Sequence, residues 1–173
     1  FSKCHFFRQT VDYLGHRILP HKLQVLAKNV DSLAKAEPPT SKTQIRSFLG
    51  LCGVYRRFVP NYASIARPLT ALTKKGAPET FVLSEEELRA FEKLKISLLS
   101  PPTLSLPRAG RPYAIETDAS DAQIGCVLQQ EDEKGIWHPL GYWSRQLNSA
   151  ERNYSATEKE ALAIWWAVTL LRP

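Results

Sequence analysis

Between positions 101 and 112 the chain carries four prolines, Pro101, Pro102, Pro107 and Pro112, with Gly110 among them. Proline locks φ, removes an amide donor and drives the preceding residue out of the helical region, so neither a helix nor a central strand runs through this stretch. The chain is therefore read as two parts around a connector, with the domain boundary there or shortly before it. The hydrophobic pattern differs on the two sides.

Upstream, Phe6 to Ile18 alternates weakly between apolar and polar, with Val11, Tyr13 and Ile18 as strand formers and Gly15 as a bend. This predicts a hairpin that turns again at Pro20-His21-Lys22. Lys28 to Lys35 suits one or two helical turns before Pro38-Pro39. Thr40 or Ser41 then caps a helix whose apolar positions, Ile45, Phe48, Leu49, Cys52 and Tyr55, follow the three-and-four spacing of one buried stripe. Arg46, Arg56 and Arg57 lie off that stripe. After Pro60-Asn61 a second helix is expected from about Tyr62 to Thr73, stopped by Lys74-Lys75-Gly76. Ser84 to Glu87 is a Ser-x-x-Glu capping box, opening a helix through Phe91, Leu94 and Leu98.

Downstream the period changes from helical to two. Tyr113–Thr117, Gly125–Gln129 and Trp137–Ser144 read as strands with short polar connections, which favours an antiparallel meander. A second capping box, Ser155 to Glu158, starts a helix that continues to Arg172. The expected class is α+β: a small helical region, then three strands and a helix.

Charge divides the same way. Residues 1–76 hold thirteen Lys/Arg against three Asp/Glu, a net of +10, whereas residues 77–173 hold ten against fourteen, a net of −4. The basic part suits a polyanion such as nucleic acid and the acidic part suits cations, although clustered surface charge is the ordinary alternative. Cys4, Cys52 and Cys126 are odd in number and widely spaced, which indicates neither a disulfide framework nor a cysteine zinc site and fits an intracellular setting. No stretch approaches the roughly 18 to 20 apolar residues of a membrane span. The chain starts on Phe1 and has no methionine, so it reads as a piece of a longer frame.

Within the acidic part, Asp118 ends the first expected strand, and Glu116, two residues earlier, shares its face. On the last helix Glu158 has the capping job, while Glu160 shares a row with Ile164, Ala167 and Leu171 that should pack on the sheet. A carboxylate on a packed face costs free energy unless a cation or a hydrogen-bond donor meets it. Asp118 and Glu160 are thus candidate ligands of a hard ion such as Mg²⁺. Spacing alone leaves open a turn aspartate and a helix-end acid.

Several runs carry a family resemblance. Tyr113-Ala114-Ile115-Glu116-Thr117-Asp118-Ala119-Ser120, Pro139-Leu140-Gly141-Tyr142-Trp143-Ser144-Arg145 and Thr157-Glu158-Lys159-Glu160-Ala161-Leu162 resemble the RNase H domain of gypsy-type LTR retrotransposons. Val11-Asp12-Tyr13-Leu14-Gly15-His16, Ile45-Arg46-Ser47-Phe48-Leu49-Gly50-Leu51 and Tyr55-Arg56-Arg57-Phe58 resemble the end of the reverse transcriptase palm and the thumb of the same Pol polyproteins. The resemblance implies three parts: residues 1–36 as the end of the palm, 37–100 as thumb and connection, and 101–173 as the N-terminal part of an RNase H-like domain.

It also implies roles. Asp118 and Glu160 fall on the catalytic, metal-ligating positions of the hybrid-cleaving site, with Mg²⁺ as cofactor. Gly15 and His16 fall on the primer-holding hairpin, and Lys42, Arg46, Arg56 and Arg57 are expected phosphate contacts to a template–primer duplex or RNA–DNA hybrid. The family's polymerase aspartate pair would precede this chain, no Asp-Asp pair occurs in it, and the later RNase H carboxylates would follow it. Two functions are therefore expected in competition. One is a part of a polymerase and ribonuclease H that works with the rest of the Pol polyprotein and is inactive alone. The other is a non-catalytic nucleic-acid-binding remnant. Either would act inside the cell, in cytoplasm, virus-like particle or nucleus, without a membrane. Apolar surface is expected around Ile164, Trp165 and Val168, and structural roles are expected for His16 and His138.

Overall fold

The computed structural model describes residues 7–172, and for residues 27–29 the backbone only. Cys4 and Phe6 lie outside the described residues. The class is α+β, as expected, with two sheets and five α-helices among the described residues.

The hairpin of the N-terminal part is a meander of β1 (Val11–Tyr13), β2 (His16–Leu19) and β3 (Lys22–Val25). Its first turn places Leu14 and Gly15 at φ 46° and 86°, and its second places His21 at φ 60°. Gly15 takes the left-handed conformation without the steric cost of a Cβ. Helix α1 follows at Ala27–Ala34. Helix α2 (Lys42–Val54) is capped by Ser41, whose hydroxyl accepts from the Gln44 amide. The expected stripe of α2 is its packed side, with Ile45 and Cys52 fully buried and Phe48 and Tyr55 nearly so. A single 3₁₀ turn, Arg56–Phe58, leads through left-handed Asn61 into α3 (Tyr62–Ala71). Helix α4 (Glu85–Leu99) opens on the capping box as read: the Ser84 amide donates to Glu87 Oε2 at 2.7 Å. Its Phe91, Leu94 and Leu98 join the α2 stripe in one core, with the Phe48 and Phe91 rings 4.6 Å apart.

The proline-rich stretch is more than a connector. Its Leu104–Ser105 form strand β4, which pairs antiparallel with β3 and puts Leu104 into the first core. Two residues between prolines carry no periodic signal, so only the pairing with β3 reveals this strand.

The second part is the expected meander of β5 (Tyr113–Ala119), β6 (Gln123–Glu131) and β7 (Trp137–Gln146), in the order β5-β6-β7. Each strand runs past its expected limits, so Asp118 lies inside β5, opposite Gly125, rather than in a turn. Helix α5 (Ala156–Leu171) starts at the second capping box and packs on β5 and β6. Ala119 and Ile124 face it. By alternation Glu116, Asp118 and Gly125 face the other way, toward the start of α3. There the Ala63 amide donates to Ser144 Oγ at 2.9 Å and Gln123 Nε2 donates to Asn61 Oδ1 at 3.3 Å. The arrangement joins the two parts through side chains as well as through the chain.

Candidate active site and nucleic-acid interface

Asp118 and Glu116 line one pocket of about 250 Å³, whose other walls are Pro60 and Asn61 from the basic part and Tyr142 and Trp143 from β7. Gly125 leaves the floor open, since a Cβ there would meet Asn61 Oδ1 at 3.5 Å and the Trp143 carbonyl at 3.4 Å. Both carboxylates are exposed, and neither has a hydrogen bond or ion pair among the described residues. Gln123, 8% exposed, holds Asn61 with its amide nitrogen, while its Oε1 is buried with no protein partner among the described residues.

The expectation for Glu160 needs correction. Its row packs on the sheet only in part: Ala167 is buried, but Glu160 is exposed and Ile164 is 54% exposed. The buried row is Lys159, Ala163 and Ala167. An apolarity pattern rejects a lysine from the packed face, but the alkyl stem of Lys159 is apolar and its ammonium reaches Asp121 Oδ1 at 2.8 Å. That hydrogen bond, with the positive charge behind it, holds the Asp121 carboxyl below the usual range. Glu158 has the capping role read for it, with its carboxyl lowered by the Ser155 amide and hydroxyl. Glu160 has no hydrogen bond or ion pair among the described residues.

Trp166 and Leu170 of α5 line a depression with Trp143 and Arg145 of β7. At about 100° per residue Glu160 therefore falls on the opposite flank, toward the free edge of β5. Asp118 faces the α3 side of the sheet, whereas Glu160 belongs to the helix on its other side. Among the described residues no three His, Cys, Asp or Glu form a group that could hold a metal ion. The donors suit a hard cation in kind, and further ligands would have to complete the shell.

On the basic side, Arg56 and Arg57 sit exposed on the 3₁₀ turn. The Arg57 guanidinium lies 4.7 Å from the centre of the Trp143 ring, and Arg56 shares a depression with Arg145. Arg46 donates to the Thr73 carbonyl at 3.2 Å. Lys42 differs from the others, because it is 6% exposed and its Nζ is 3.0 Å from Glu79 Oε1. Gly15 is held by its carbonyl, which accepts from the Leu26 amide at 3.1 Å and the Tyr55 hydroxyl at 3.4 Å. His16 bonds the Leu14 carbonyl through Nδ1 and stacks on Phe58 at 5.7 Å, and His138 donates to Asp132 at 2.9 Å, so both have the structural roles expected.

Residues 83–173 match the family model described as an RNase H-like domain found in reverse transcriptase. The chain belongs to this family. Over 99% of its length it is 42% identical to the retrovirus-related Pol polyprotein from transposon 297 of Drosophila melanogaster and 37% identical to that from transposon opus of the same organism. It spans 16% and 18% of those relatives. These matches bear out the resemblance to gypsy-type retrotransposon polymerases. The foamy viral protease-reverse transcriptase in complex with RNA/DNA hybrid superimposes with a TM-score of 0.81 at 22% identity, over 98% of this chain and 23% of that one, which shows the shared fold.

Within this RNase H-like chain, sequence reasoning missed Lys159, Asp121, Asn61 and Gln123 as residues that set the candidate site, and Arg145 as well. Arg145 makes a two-pronged pair with Glu151, at 2.7 and 2.9 Å, and this bond holds the Glu151 carboxyl below its usual range. None had a local signal, because each partner lies across a turn or in another element. Cys52 was legible as a position of the α2 stripe: burial pushes its thiol up to about 12, and that of Cys126, which carried no such signal, to about 11.

Proposed function

We propose that this RNase H-like chain works within a retroelement Pol polyprotein, holding template–primer or RNA–DNA hybrid through its basic part and supplying Asp118 and Glu160 to a site that hydrolyses the RNA strand. The observation that carries the reading is the placement of Asp118: in β5 of the family-matched region, with its side chain in a pocket walled by the basic part. RNase H-like domains generally use a divalent metal. Mg²⁺ is the ion proposed, which when bound would activate water and steady the leaving oxygen of the phosphodiester. Asp118 and Glu160 would each offer it a carboxylate oxygen. Arg46, Arg56 and Arg57 would meet phosphates, with Gly15 and His16 beside the primer end, and Lys42 would join them only by leaving Glu79. Such contacts bind without reading sequence. The proposed setting is intracellular. Among the described residues no helix is long and apolar enough to cross a membrane.

The test is a chimera in which this chain replaces the matching segment of the transposon 297 polyprotein. Mg²⁺-dependent cleavage of a labelled hybrid that Asp118→Asn abolishes is the expected result. Equal cleavage by the Asp118→Asn chimera would falsify the assignment. The second reading, a non-catalytic binding module, is favoured by the absence of a three-ligand group among the described residues. It predicts that the chain alone binds hybrid with strong salt dependence and does not cleave it, with or without Mg²⁺.

A further inference from the structure

An asparagine at the head of a helix ordinarily caps it, its side-chain oxygen accepting from an amide of the first turn. Asn61 heads α3 at φ 54°, yet its side chain caps no amide of that helix. The Ala63 amide is instead capped from the other part of the chain, by Ser144 Oγ at 2.9 Å. This leaves the Asn61 side chain to reach the sheet, where Oδ1 accepts from Gln123 Nε2 at 3.3 Å. Gly125 gives it room, since a Cβ there would stand 3.5 Å from Oδ1, and Gly125 is the cross-strand partner of Asp118. Asn61, Asp118 and Glu116 therefore line one pocket of about 250 Å³.

With Oδ1 committed to Gln123, the two N–H groups of Asn61 Nδ2 have no partner among the described residues. The carboxylates of the pocket favour this orientation, because the NH₂ end of an amide carries its partial positive charge. The pocket thus holds a neutral donor beside two anionic acceptors, with Pro60 and Tyr142 as less polar walls. Two carboxylates repel a phosphate oxygen. A sugar hydroxyl suits them, since it accepts from an amide and donates to a carboxylate at once. We infer that Asn61 is a specificity-determining residue of the proposed hybrid-cleaving site: Nδ2 donates to a ribose 2′-hydroxyl of the RNA strand, which in turn donates to a carboxylate of the same pocket. A DNA strand lacks this group. The inference rests on the reading of the chain as a holder of RNA–DNA hybrid, and it needs no bound cation.

The test measures, by anisotropy of the full chain in EDTA, binding of an RNA–DNA hybrid and of the same hybrid with 2′-fluoro in place of 2′-hydroxyl. The fluorinated strand keeps the helical shape and removes the hydroxyl proton. The unaltered chain is expected to prefer the hydroxyl hybrid by about two- to tenfold, the range for one hydrogen bond. Asn61→Asp keeps an oxygen for Gln123 and tolerates the left-handed backbone, but it has no amide donor, so the preference should vanish. Its added charge weakens both hybrids alike and cancels in the ratio. Asn61→Gly, which also accepts a positive φ, should give the same loss without that charge. A preference that persists in both folded variants overturns the inference. If circular dichroism shows one variant unfolded, the other decides. Equal binding of the two hybrids by the unaltered chain also overturns the inference and leaves the proposed function standing, whereas failure to bind either hybrid removes both. Adenosine that displaces the hybrid from the unaltered chain but not from Asn61→Asp would assign the pocket to a free riboside and overturn the strand contact.

Discussion

Gly141 lies directly beneath the Trp143 indole, and a Cβ on Gly141 would fall 2.8 Å from the ring's Cη2. Both belong to β7 and point to one face, so the missing side chain is what lets the ring lie flat. The same ring receives Arg57 at 4.7 Å. Gly141→Ala is expected to displace the indole and destabilise the protein by about 1–3 kcal/mol, the usual range for overpacking. Thermal unfolding of the single variant and of Gly141→Ala with Trp143→Leu checks this, since the smaller side chain should recover much of the loss.

Duplex binding should separate Arg56 and Arg57 from Lys42. Arg56→Ala and Arg57→Ala are each expected to weaken hybrid binding uniformly across sequences and to lower the slope of log K against log salt by about 0.7 to 0.9. Lys42→Ala should leave that slope unchanged, because its ammonium already faces Glu79 at 3.0 Å. Anisotropy at three salt concentrations reads all three. An equal change from Lys42→Ala would mean that the Glu79 pair opens on binding.

The outer flank of α5 should drive association. Ile164, Trp165 and Val168 are 54%, 64% and 56% exposed, and β5 beside them pairs with β6 alone among the described residues. An apolar flank next to an open strand edge favours contact between molecules. Sedimentation should show concentration-dependent oligomers in the unaltered chain and a shift toward monomer in Ile164→Glu and Trp165→Lys. A monodisperse monomer at high concentration would refute this.

Acid sensitivity should include a contribution from Asp132. Its carboxyl is pulled down to about 2, first by the His138 hydrogen bond and next by the Ile136 amide. A carboxyl lowered on folding adds stability above its ordinary value, and that stability fades as pH falls through the folded value. The effect of Asp132 should therefore be complete above pH 4 and lost progressively toward pH 2. Melting temperatures across that window should fall less steeply in Asp132→Asn than in the unaltered chain.

Much of the fold was legible because its signals are local. The capping boxes at Ser84 and Ser155 act within three residues, the α2 stripe follows one helical period, and the β5–β7 meander shows in alternation with short turns. Placement on the strand end and the helix row made Asp118 and Glu160 candidates and the resemblance singled them out, and the structure gives Asp118 a pocket while moving Glu160 off the packed face.

What the sequence by itself determined is the type and order of the longer elements and the capped starts of α2, α4 and α5, since these depend on backbone bonds and side-chain periods within a few residues. Only the tertiary structure decided which face of α5 is buried, that Leu104–Ser105 complete the first sheet, that Lys42 is paired to Glu79, and that Asn61 reaches Gln123 beside the acidic pocket. The physical reason is the same in each case. A long cation can bury its stem once a distant carboxylate meets its head, and an amide or a two-residue strand gains its partner only when separate elements dock.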